Sequence, residues 1–186
     1  ESLRLGGDTW LALAAAASVL AFGVLFGMLV AVGLSLVLAI RRFSQPLVVE
    51  IARLPGTHDF LDRERHAGLD APAPGVLLMR PEEPLFFANA EGALQRVRRQ
   101  AAQRQARVVV LSLEMCDDLD SSTVEAIGEF SAALAGQGAQ LLLARVKDRP
   151  RLDLARAGLA PPERLFWSVD DAYAQAVALA GAAPAA

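Results

Sequence analysis

Hydrophobic and polar positions divide the chain into two regimes. From Trp10 to Ile40 the apolar pattern is unbroken, 31 residues without an Asp, Glu, Lys, Arg or His. Beyond Pro46 the apolar positions recur with strand or helix spacing. Gly75–Arg80 (GVLLMR), Leu85–Ala88 (LFFA), Gln140–Ala144 (QLLLA) and Leu165–Trp167 read as strands. Arg107–Leu113 (RVVVLSL) is a near-continuous Val/Leu run and predicts a central strand buried on both faces. A helix is expected from an Asn89 N-cap to about Gln105, with Ala90, Ala93, Leu94, Val97 and Ala101 facing inward. Ser122 and Glu125 have capping-box spacing and open a second helix that carries Val124, Ile127, Phe130 and Leu134 and ends at Gly136 and Gly138. A short helix over Arg151–Ala157 stops at Gly158, and a last one runs over Val169–Ala180 with Asp170 and Asp171 in its first turn. Leu47–Ala73, with Leu-Pro-Gly-Thr and Pro-Ala-Pro, reads as a linker. The alternation predicts an α/β domain over residues 74–183, a mixed sheet flanked by helices. Residues 70–183 are expected to fold alone.

The uncharged stretch is about twice too long for the 7–15-residue core of a signal peptide. As one helix it would measure about 46 Å, against a hydrocarbon core of about 30 Å. It therefore fits either one strongly tilted helix or a hairpin of two short arms. Gly23 and Gly27 form a Gly-x-x-x-Gly spacing that lets membrane helices approach closely, or mark the turn between the arms. Arg41 and Arg42 follow at once and predict a cytoplasmic exit, and Pro46 stops the helix. Residues 1–46 are read as membrane segment, and everything after Pro46 as cytoplasmic.

Composition adds little to that division. The hydrophobic fraction of 54% is raised by the one stretch. The net charge of −3 splits into +1 over residues 1–46 and −4 over the rest, so nucleic acid is not an expected partner. Arg96, Arg98, Arg99, Arg104 and Arg107 crowd one region that could touch anionic lipid headgroups or nucleic acid, but without an interleaved aromatic residue the favoured reading is a solvated helix face. The single cysteine, Cys116, excludes an internal disulfide and a cysteine-rich metal site. His58 and His66 lie in loop-like sequence without further ligands at metal spacing.

What remains is the acidic and hydroxyl loop of residues 114–123, at the carboxyl end of the central strand, where such sheets place their sites. Asp117, Asp118 and Asp120 with Ser121 or Ser122 suit a divalent cation or frame a phosphorylatable serine. The spacing favours a plainer role, with Ser122 capping the helix and Asp120 stabilising its positive end. Phosphate-loop, nucleophile-elbow and zinc-protease motifs do not occur. No catalytic residue, metal or cofactor is assigned, and the chain is not expected to be an enzyme.

The order of these parts resembles the carboxyl-terminal end of a SulP-type sulfate permease, a secondary anion transporter that ends in a cytoplasmic STAS domain. Phe26-Gly27-Met28-Leu29-Val30, Leu34-Ser35-Leu36 and Arg41-Arg42-Phe43-Ser44-Gln45-Pro46 look like the last transmembrane segment and its exit. Leu54-Pro55-Gly56-Thr57 looks like the family's linker. Pro74-Gly75-Val76-Leu77-Leu78 and Pro84-Leu85-Phe86-Phe87-Ala88-Asn89-Ala90-Glu91 look like the first strands and helix entry of the domain. Asp120-Ser121-Ser122 matches the Asp-Ser-Ser/Thr motif of STAS domains, with Thr123 where the motif usually has Gly. The resemblance implies a membrane hairpin and a domain in a regulatory or assembly role. It also implies a membrane lipid environment, an upstream transporter core holding the anion site, a homodimer, a cytoplasmic protein partner for the domain, and residence in the plasma (inner) membrane. Ser122, with Asp120 and Ser121, becomes the regulatory candidate, since the second hydroxyl is the phosphorylation target in the anti-sigma antagonist branch. The alternative is a membrane-tethered regulator of that branch, switched at Ser122.

Overall fold

The computed structural model describes residues 24–43, 47–159 and 161–182. Contacts divide the chain into two units, residues 1–44 and 45–186.

In the first unit, helix α1 spans Val24–Phe43. It is continuous through Gly27 and Gly33, so a turn at Gly27 does not occur. Among the described residues no helix is long and apolar enough to cross a membrane. The expected hairpin is therefore not shown, and its first arm lies outside the described residues.

In the second unit, strand β4 (Val108–Ser112) is buried at all five positions, as the Val/Leu run requires. It lies in a five-stranded sheet with β1 (Val48–Arg53), β2 (Phe60–Asp62), β3 (Val76–Pro81) and β5 (Gln140–Ala144), in the order β2-β1-β3-β4-β5. β3, β4 and β5 are parallel, with Leu77 opposite Val109 and Val109 opposite Leu141. β1 is antiparallel to both β3 and β2, so the sheet is mixed. Residues 47–73, expected as a linker, thus carry two strands of the sheet. Their Leu-Pro-Gly-Thr segment is the turn between β1 and β2, closed by the Thr57 N–H donating to Leu54 O at 3.1 Å.

The period of two along the strands sends alternate side chains to opposite layers. On one face Leu77, Met79, Val109, Leu111, Leu141 and Leu143 pack under helices α2 (Ala90–Gln103), α3 (Ser121–Gly136) and α4 (Asp148–Arg156). On the other face Val76, Leu78, Val108, Val110 and Leu142 pack under Ala172, Ala176 and Ala180 of helix α5 (Val169–Ala182). The inner faces expected for α2 and α3 are the ones buried.

Two expected strands are absent. Leu165 makes only a single parallel bridge to Leu143. Leu85–Ala88 is irregular chain and turn, because its amides have side-chain partners instead of a strand. The Leu85 N–H donates to Cys116 Sγ (3.4 Å), that of Phe86 to Asn89 Oδ1 (2.8 Å) and that of Phe87 to Asp120 Oδ2 (2.8 Å). Asn89 occupies the N-cap position of α2, but its side chain does not cap the helix. It turns back to the preceding chain, where Nδ2 also donates to Pro84 O.

Candidate functional site

The site lies where β4 runs out into α3. Leu113 N–H donates to Ala144 O, keeping the chain beside β5 for one more residue, and Cys116 N–H closes a turn on Leu113 O. Leu119 is buried and anchors the segment before the helix. Asp117, Asp118, Asp120, Ser121 and Ser122 are exposed.

Asp120, not Ser122, is the N-cap of α3. Its φ and ψ are extended, its Oδ1 accepts from the Thr123 N–H (2.8 Å), and Ser121 and Ser122 already lie inside the helix. The capping box read from Ser122 and Glu125 is therefore two residues out of register. The side-chain acceptor must sit where the backbone is still extended, and only Asp120 does. Its Oδ2 accepts from the Phe87 N–H, so one carboxylate joins the start of α3 to the turn before α2. Desolvation pushes the carboxyl up, but the amides of Thr123 and Phe87 outweigh it and hold it below its ordinary 3.8.

The three aspartates do not converge. Asp117 meets Lys147 Nζ at 2.5 Å, Asp118 meets Arg149 Nη1 at 3.7 Å, and Asp120 is engaged with backbone amides. Among the described residues no group of three or more His, Cys, Asp or Glu is placed to hold a metal ion. His58 and His66 also diverge. His58 Nδ1 lies 2.6 Å from Asp170 Oδ2, and His66 Nδ1 lies 3.2 Å from Asp62 O.

Cys116 is buried under the site, and desolvation raises its thiol above the ordinary 9.0 despite the Leu85 N–H and the nearby Lys147 charge. The sequence carries no signal for its role as acceptor to Leu85, nor for the pairing of Lys147 and Arg149 with the loop, because these contacts join segments some thirty residues apart. The first turn of α3 also walls a groove of about 640 Å3, lined by Leu119, Ser121, Val124, Gly128, Ala157 and Leu159. Gly128 admits Leu159 to that groove, since a Cβ there would lie 2.7 Å from Leu159 Cδ2.

Two exposed serines thus stand in the first turn of a helix capped by Asp120, beside a mostly apolar groove, on an α/β domain. The STAS domain model matches residues 72–172, and the chain belongs to that family. A probable sulfate transporter of Mycobacterium tuberculosis is 33% identical over 157 residues, covering 82% of this chain and 27% of the relative. The chain thus spans about a quarter of the length of the curated relatives it matches. The murine Slc26a9 anion transporter in its inward-facing state shares the fold with a TM-score of 0.68 at 20% identity, over 82% of this chain and 26% of its own. A sulfate transporter family protein from Wolinella succinogenes has a TM-score of 0.53 at 26% identity, over 64% of this chain and 99% of its own. The resemblance to the carboxyl-terminal part of a SulP-type anion transporter, read from the residues, stands on these matches.

Proposed function

We propose that residues 1–186 are the carboxyl-terminal portion of a secondary-active transporter of inorganic anions of the sulfate type, with the STAS domain in an assembly or regulatory role. The observation that carries this reading is the reach of the similarity. The match to a sulfate transporter covers 82% of the chain and so extends well past the domain's own stretch of residues 72–172. In this reading Trp10–Ile40 is membrane segment, a short hairpin leaving at Arg41 and Arg42 on the cytoplasmic side of the inner membrane. The anion path belongs to an upstream core, the assembly is a homodimer, and the domain meets a cytoplasmic protein without doing chemistry of its own.

Ser122, with Ser121 and Asp120, is the regulatory position. The exposure of both hydroxyls supports it and also favours a second reading, a membrane-tethered regulator switched by phosphorylation at Ser122. The mass of the native protein separates the two. The transporter reading expects a polypeptide several times the 19.7 kDa of this chain, and the regulator reading expects one near it. For the transporter reading, residues 1–186 in vesicles should resist alkaline extraction yet carry no sulfate or bicarbonate. Saturable uptake above that of empty vesicles would overturn it.

A further inference from the structure

The arginines of the second unit fall into two groups. Arg53, Arg63, Arg65, Arg80, Arg104, Arg145, Arg149 and Arg156 each meet a carboxylate, as does Lys147. Arg151 donates to Leu165 O and stacks on Trp167. Arg107 is also engaged. Among the described residues this leaves Arg96, Arg98, Arg99 and Arg164 with neither a carboxylate nor a backbone or ring partner. Three of these four lie within four positions of one helix.

The helical period spreads them over the outer surface of α2. The buried side is Ala90, Ala93, Leu94, Val97 and Ala101. Steps of 100° put Arg99 opposite that side and Arg96 and Arg98 on its two flanks. Glu91 and Glu129 line the groove between α2 and α3 together with Arg98, and Arg96 and Arg99 lie outside that groove. The residues after Pro46 carry a net −4, so this positive face stands against the charge of the domain as a whole. Arg96 and Arg99, three positions apart, are neighbours on the helix surface, and a like-charge pair at such spacing costs some helix stability, a cost that an anionic partner relieves.

We propose that the outer face of α2 docks on an anionic membrane surface, with Arg96, Arg98 and Arg99 against lipid headgroups. The proposal rests on the transporter reading, which holds the domain beside a bilayer through Trp10–Ile40. Basic side chains near an anionic bilayer are drawn to it within a screening length. The exposed face of α2 carries no aromatic residue on which a nucleobase would stack. Of its other exposed positions, Gly92, Gln95, Ala102 and Gln103 are small or neutral, and Glu91 is the one carboxylate, on the Arg98 side, so the face keeps a net positive charge.

The test uses the whole chain, 1–186, in vesicles of phosphatidylcholine alone or mixed with phosphatidylglycerol. A fluorophore on Gln103→Cys reports proximity to a headgroup-bound quencher, while the buried Cys116 stays unlabelled. Quenching is expected in the phosphatidylglycerol vesicles. It should be lost when salt is raised to about 1 M, where the screening length is about 3 Å. It should also be lost in the triple variant Arg96→Gln, Arg98→Gln, Arg99→Gln, whose helix propensity is nearly unchanged. Equal quenching in both lipids, or an unchanged signal in the triple variant, refutes the docking surface and leaves the transporter reading intact. A chain that stays out of the vesicles sinks the transporter reading instead. The docking face is then decided by whether the free protein co-sediments with phosphatidylglycerol vesicles and the triple variant does not.

Discussion

Asp120 uses both carboxylate oxygens on backbone amides from two segments, and its substitutions separate the two bonds. Asp120→Ala removes a helix cap and should cost about 0.5–2 kcal/mol in urea denaturation. Asp120→Asn caps about as well, but it has one acceptor oxygen for two donors. It should preserve most of the stability while speeding hydrogen exchange at Phe87. Ser122→Ala, expected from the sequence to behave as a lost cap, should stay within about 0.5 kcal/mol of wild type, because Ser122 is an exposed position inside the helix. The acid limb gives a second check. A carboxyl held below 3.8 in the fold contributes stability that is complete above that value and disappears as pH falls through its lower folded value. Asp120→Asn should lack this component. Cys116, buried and with a raised thiol pKa, should resist a thiol reagent until denaturant unfolds the domain.

The two strands before Gly75 change where the domain begins. β1 pairs Val48, Val49 and Glu50 with Pro81, Arg80 and Met79 of β3, and it buries Ile51 and Ala52. A chain starting at residue 74 would leave β3 as a bare apolar edge. Residues 47–182 should therefore unfold in one cooperative thermal transition, whereas residues 74–182 should aggregate or melt without one. The expectation that residues 70–183 fold alone is revised accordingly. Elements with strong local patterns were legible in the sequence. These include β3, β4, β5, the buried stripes of α2 and α3, and the stop at Gly138, whose φ is +75°. β1 was not, because Val-Val-Glu-Ile-Ala-Arg is short and sits beside Pro55 and Gly56, which mark a turn and masked the strand in front of it. The irregular Leu85–Ala88 has strand-like residues and no strand, since its three amide partners come from Asn89 nearby and from Cys116 and Asp120, about thirty residues away. The acidic loop was recognisable as the link from the central strand into its helix. Its cap was not, since three candidate oxygens in a row, on Asp120, Ser121 and Ser122, differ only in backbone conformation.

At the scale of the molecule, the two layers on the sheet are built unequally. Among the described residues three helices share one face, and α5 alone covers the other, setting Ala172, Ala176 and Ala180 against Val76, Leu78, Val108, Val110 and Leu142. Its first turn is tied to β1 by the Arg53–Asp170 ion pair, and Tyr173 accepts the Ala73 N–H. A chain ending at Ser168 should be insoluble where one ending at Ala182 is not, which fractionation of the two expressed proteins would show. Birth order makes this asymmetry matter. Translation adds about 5–20 residues per second from the amino end, so every strand has been synthesised before the one helix that shields this side exists. Each nascent copy therefore passes through a stage with an entire apolar sheet surface open to whatever is nearby. A premature stop within this 14-residue helix would arrest it there and yield an aggregating product rather than a slightly shorter one.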